Sequence, residues 1–146
     1  MITAEWIDGD WNDAYAVRRE VFIREQNVPP ELEIDGSDDQ ATGVVVYENK
    51  KPVATGRLIL ENGEMTIGRV AVLKECRGQG LGDLVVRMLI RRAVETGYAK
   101  QIAHAQTHAR GFYAKLGFYE VGEEYYDAGI LHITMVHEGD IGSPCC

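Results

Sequence analysis

The 146-residue chain sets 23 acidic side chains against 15 basic ones, a formal charge of −8, with 45% hydrophobic and 26% charged residues. That balance fits one globular domain with a single core, opposes a general nucleic-acid partner, and suits a cationic or amine substrate. Apolar runs such as Val44–Tyr47 and Val70–Leu73 are far shorter than the roughly 20 residues a membrane helix needs, so no membrane partner is expected.

Met1–Trp6 carries neither a basic nor a long apolar stretch, so a cytoplasmic setting without a secretory signal is expected. Ile2 to Ile7 alternates as an edge strand, and Asp10 with Asp13 resembles an N-cap arrangement opening a helix through Glu25, with Val17 and Val21 on one face. Pro29-Pro30 stops that helix, and the acidic, turn-rich stretch from Asn27 to Gln40 reads as a functional loop.

Three strands then follow as an antiparallel meander: Thr42 to Glu48, Val53 to Leu60 and Met65 to Leu73. Asn49-Lys50-Lys51-Pro52 and Asn62-Gly63 join them. Leu81, Leu84, Val85, Met88, Leu89 and Ala93 recur at helical spacing up to Thr96, and Gly97 ends that helix. A short strand over Gln101 to Gln106, a short helix over His108 to Leu116, and a closing strand pair, Phe118 to Tyr126 with Ile130 to His137, complete a mixed α/β (α+β) order. Residues 138–146 read as a loose tail after a single domain of residues 1–137. The three cysteines, Cys76, Cys145 and Cys146, cannot frame a core with disulfides, and Cys76 is expected to be buried.

The most informative stretch runs from Gly68 to Gly82. A strand is followed by Arg77-Gly78-Gln79-Gly80-Leu81-Gly82 opening the long helix, where backbone N–H groups without side-chain cover can receive an anion. A P-loop would need Lys and then Ser or Thr after its last glycine, and Gly82 is followed by Asp83-Leu84. A dinucleotide fingerprint would put glycine at Asp83 and would open a βαβ unit rather than follow a meander.

Arg77-x-x-Gly80-x-Gly82 after Gly68-Arg69-Val70-Ala71-Val72 resembles the acetyl-CoA signature of the GCN5-related N-acetyltransferases (GNAT). Gln106-x-x-Ala109-x-x-Phe112-Tyr113-x-x-Leu116-Gly117-Phe118 is similar to the second motif of that family, with Gln106 in place of the usual asparagine. More narrowly, Glu20-Val21-Phe22-x-x-Glu25-Gln26, Asp35, Ala105-Gln106 and Gly129-Ile130-x-His132 resemble its ElaA-like branch.

The resemblance implies the GNAT acyl-CoA N-acyltransferase fold, a twisted, mostly antiparallel sheet flanked by helices. It also implies transfer of an acetyl group from acetyl-CoA to an amine by direct attack in a ternary complex. Acetyl-CoA is expected against the backbone of Val70, Ala71 and Val72, the loop Arg77, Gly78, Gln79, Gly80, Leu81 and Gly82, and Gln106 and Tyr113. Tyr113 takes the place of the acid for the departing thiolate; as a phenol it stays protonated at neutral pH.

A base must receive the proton of the amine. Glu25, Asp35, His104 and His132 are the candidates, with Glu25 preferred, and Gln26, Asp35 and His132 are expected to contact the acceptor. That acceptor is expected to be a small amine or amino-acid derivative. A protein lysine or N-terminus, a non-catalytic acyl-CoA sensor, and a homodimer built on apolar faces remain as other readings. No metal is expected: no Cys-x-x-Cys or His-Glu-x-x-His occurs, and His104 and His108 straddle a strand-to-helix boundary.

Overall fold

A computed structural model of the protein describes residues 1–141; Gly142–Cys146, with both tail cysteines, lie outside the described residues. Seven strands form one sheet in the order β1-β2-β3-β4-β5-β7-β6. They are β1 (Ile2–Trp6), β2 (Thr42–Glu48), β3 (Lys51–Glu61), β4 (Glu64–Val72), β5 (Lys100–Gln106), β6 (Tyr119–Asp127) and β7 (Ile130–Glu138). Every neighbouring pair is antiparallel except β4 with β5, which is parallel.

Turn chemistry sets the meander. Asn62 and Gly63 both have positive φ (50° and 77°), as a two-residue hairpin turn requires. Asn49 and Lys50 (φ 50° and 70°) form another, so β3 starts two residues earlier than its apolar pattern predicts and takes in Pro52. Proline is tolerated there because the β2–β3 ladder shifts register at Val46/Tyr47.

Helices cover both faces. The long helix α3 (Leu81–Glu95) buries Leu81, Val85, Val86, Leu89, Ile90 and Ala93. It lies so close to β3 that a Cβ on Gly56 would stand 2.5 Å from Val85 Cγ1. The next residue along β3, Arg57, reaches Asp35 and Asp38 instead, which puts α1 (Asn12–Arg18) and the 27–40 segment on the opposite face.

The first helix differs from its sequence reading. After α1 the chain continues as a π-helical turn over Arg19–Glu25, with Gln26 N–H bonded to the Val21 carbonyl at 3.1 Å. Asp10 accepts the Asn12 N–H at 2.9 Å, but Asp13 accepts the Tyr47 hydroxyl, and the cap position itself is Trp11. Pro30 does not merely end the first helix; it opens α2 (Pro30–Glu33). A six-residue helix, α4 (Arg110–Lys115), follows a 3-10 turn at Thr107–Ala109. Cys76 is buried, β7 takes in Glu138, and Ile141 packs on the core. Among the described residues no helix is long and apolar enough to cross a membrane.

Candidate active site

The site begins where β4 leaves β5. The two strands pair only at Met65, Thr66 and Ile67 with Gln101, Ile102 and Ala103. Beyond that point Gly68–Val72 and His104–Gln106 part, and the edge of β4 that faces β5 is left without a strand partner. A bulge bends β4 at the same place: Arg57 pairs with Gly68 and Thr55 with Ala71, so Arg69 and Val70 stand opposite Gly56 alone. Arg69 absorbs the distortion with φ 51°, a left-handed conformation rare for a non-glycine residue and held here by the surrounding sheet.

Below the opening, Val72, Arg77, Gly78, Gly80, Leu81, Gly82 and Phe112 line a groove at the start of α3. Gly78 and Gly80 have φ 85° and 80°, and a Cβ on either would meet nothing within 4 Å, so the loop backbone is bare toward the groove. Gly82 would touch the Phe112 ring at 3.3 Å. Open amides at a helix start present a ready anion cradle. Gln79 turns back to the Cys76 carbonyl, and Ala71 is buried and paired to Thr55; each offers the cleft at most its backbone.

Above it lies a cavity of ≈ 250 Å³. Phe22 and Gln26 of the π turn, Val28, Leu32 and Glu33 form one wall, β4 and β5 the floor, and Asp127, Ala128, Ile130 and His132 of the β6–β7 hairpin the other wall. Tyr113 lines it from α4. That tyrosine is 7% exposed, its ring packed edge-on against Phe112 and Phe118, and burial pushes its phenol well above the ordinary value. Among the described residues its hydroxyl has no hydrogen-bond partner. Gln106 donates to Gln26 Oε1 at 2.7 Å and accepts from His108 Nε2 at 2.6 Å, which ties the β5 end to the π turn.

Two of the expected site residues stand outside the cavity lining. Glu25, preferred as the base, forms a two-pronged ion pair with Arg77, 2.7 Å on each prong, and is not among the cavity-lining residues. The Arg77 hydrogen bond holds its carboxyl below the usual range, which makes it a poor proton acceptor. Asp35, expected at the acceptor, also stands outside the cavity lining, bound by Arg57 at 3.0 and 3.2 Å and by Arg69 at 3.4 Å. The Arg57 hydrogen bonds depress its carboxyl strongly.

Asp35 belongs to an ionic cluster that the sequence reading missed. Arg18, 1% exposed, binds Glu33 and Asp38, and Arg57 binds Asp38 at 3.0 Å. Arg69 donates to the Glu33 carbonyl at 3.0 and 3.2 Å. Three cations and three carboxylates thereby staple the 27–40 wall onto β3 and β4. Arg57 inside the apolar run Val53–Leu60 is the signal that could have shown it, since a cation there needs buried partners. His108 and Asp127 were likewise missed.

Residues 10–138 match the model of the acetyltransferase (GNAT) domain. The chain belongs to the GNAT acetyltransferase family. It is 41% identical over 127 residues to the uncharacterized N-acetyltransferase YjcF of Bacillus subtilis, covering 86% of this chain and 91% of that protein. The crystal structure of Escherichia coli ElaA, 27% identical, superposes with a TM-score of 0.83 over 94% of this chain and all 100% of that one. A GNAT acetyltransferase of Elizabethkingia anophelis, solved with acetyl-CoA bound, shares the fold at TM-score 0.75 and 19% identity, over 94% of this chain and 97% of that one. As a GNAT member the chain is an acetyl-CoA-dependent N-acetyltransferase, related to the ElaA branch.

Proposed function

We propose that the protein transfers the acetyl group of acetyl-CoA to the primary amine of a small molecule or amino-acid derivative, by direct attack with both substrates bound. The parting of β4 from β5 beside a bare glycine loop carries this reading. It offers an amide-lined slot for the pantetheine arm and, at the start of α3, a cradle for the pyrophosphate. Acetyl-CoA brings the activated acyl group; the chain supplies position, charge and proton traffic.

Val70 and Val72 offer backbone groups along the slot, and Gly78, Gly80 and Gly82 offer the cradle. A free β4 amide is the donor for the carbonyl oxygen as negative charge grows on it. Tyr113 serves the departing sulfur: burial keeps its phenol protonated, so its unpaired hydroxyl enters as a donor and not as a base. Cys76 does not carry the acyl group in this reading, since burial raises its thiol and makes it a weak nucleophile. The size of the cavity, its histidines and the Asp127 carboxylate at its rim favour a small cationic acceptor.

The test is thiol release from acetyl-CoA against a panel of small amines, amino-acid derivatives and lysine peptides. Release with small amines supports the reading. Release only with peptides would move the acceptor to proteins, and binding without release from any amine would favour a sensor.

A further inference from the structure

We infer that His132 is the proton acceptor for the acceptor amine, an assignment that rests on the acetyl-transfer reading. Three features of the ring carry it. His132 lines the same cavity as Tyr113, on the hairpin wall opposite the π turn. Its Nδ1 lies 2.7 Å from the Ile130 carbonyl oxygen, and a carbonyl only accepts, so the neutral ring carries its proton on Nδ1. The lone pair is therefore on Nε2, which has no hydrogen-bond partner among the described residues. Finally, the ring stacks on Tyr125 at 5.7 Å and 23°, so its direction is fixed from a second side. A ring with a defined tautomer, a held orientation and a free nitrogen in the reaction cavity is the arrangement a general base requires.

The other titratable groups around the cavity are less suited. His104 Nδ1 meets two hydroxyls, Tyr125 at 2.9 Å and Thr134 at 3.3 Å, which leave its tautomer unfixed, and its residue is exposed. His108 is spent on Gln106 and is exposed as well. Glu33 is held by Arg18 and Arg69, while Asp127 stands exposed at the rim, where it can attract an ammonium ion without being enclosed with it.

The proton count closes. An ammonium acceptor gives one proton to His132 Nε2, which passes it to solvent. The neutral nitrogen then forms the C–N bond as the C–S bond breaks: Tyr113 gives its proton to the departing sulfur, the second nitrogen proton passes to the vacated His132 Nε2 and on to solvent, and solvent returns one proton to the Tyr113 oxygen.

The full chain labelled with nitrogen-15 histidine tests the ring directly, with His132→Gln used to assign its signals. The expected neutral form is Nδ1–H with Nε2 unprotonated, and an Nε2–H form would overturn the inference. Thiol release is then followed from about pH 6 to 9, with ethylamine as probe nucleophile, or water if ethylamine is not accepted. His132→Gln should lose about 100-fold in turnover and the acidic limb of the profile, with acetyl-CoA affinity by calorimetry within about twofold. A variant within about threefold of the unmodified chain and with its acidic limb intact would overturn the inference alone. An unmodified chain that binds no acetyl-CoA, or releases no thiol, would overturn the acetyl-transfer reading and this inference with it.

Discussion

The cofactor side and the acceptor side of the cleft are built from different materials. On the first, backbone does the recognising: a strand edge freed from β5 and a glycine loop where a Cβ on Gly78 or Gly80 would meet nothing within 4 Å. On the second, side chains form the wall, and that wall is fixed by six charged groups drawn from positions 18 to 69. A backbone site depends on where glycines fall, whereas a side-chain site depends on partners far apart in the chain. The first kind therefore tolerates change in its neighbours, and the second transmits it.

The largest expected effect is on the acceptor side. Arg18→Met leaves Glu33 and Asp38 buried without their shared cation, and the unfolding free energy should drop by about 3–5 kcal/mol in a denaturant titration. A loss under about 1 kcal/mol would mean that the cluster does not hold the wall. On the cofactor side, Gly80→Glu places a carboxylate and a Cβ at φ 80° beside the anion cradle. Acetyl-CoA affinity should fall about 100-fold with only about 1–2 kcal/mol of strain in stability. Unchanged affinity would show the loop to be idle.

Tyr113→Phe joins the two sides. Turnover should fall about 10–100-fold while acetyl-CoA affinity stays within about twofold, and equal losses in both would assign the ring to packing.

Acid should strip the acceptor wall first. Asp38 loses by burial but gains more from Arg18 and Arg57, so it and Asp35 both sit below the ordinary carboxylate value when folded. The folded chain thus holds fewer protons than the unfolded one. The stability these groups add is complete above about pH 4 and is lost as the pH falls from there through their folded values. Asp35→Asn should flatten the fall in melting temperature below about pH 4, modestly, since Asp35 is one-third exposed. A slope unchanged by Asp35→Asn would remove it from the cluster's energetics.

The smallest effect belongs to Glu25→Gln. Freed from its pair, Arg77 should bind acetyl-CoA equally or a few-fold more tightly, with turnover within about threefold. A loss of about 100-fold in turnover would restore Glu25 as the base.

Sequence legibility divides along the same line. Asn62-Gly63, the apolar stripe of α3 and the Gly78–Gly82 loop act through local geometry, so their spacing marks the hairpin, the long helix and the glycine loop that opens it, while Tyr113 is marked by the family resemblance. The 3.6-residue periodicity of Ala14, Val17 and Val21 cannot distinguish a helix that widens at Arg19 from one that does not. The left-handed Arg69 is imposed by the count of residues opposite Gly56, which is a property of pairing and not of Arg69. Asp35 was visible as an acid in a loop, but its partners Arg57 and Arg69 lie 22 and 34 residues away. The sequence carries no register that brings them together, so the ion pairs of Asp35 are visible only in the fold.

The most direct measurement of the central claim is a calorimetric titration of the full chain with acetyl-CoA, with ATP and NAD as controls. Saturable binding of acetyl-CoA to one site per chain is expected, weakened about 100-fold in Gly80→Glu and absent for both controls. Equal binding of the three, or none of acetyl-CoA, would contradict it.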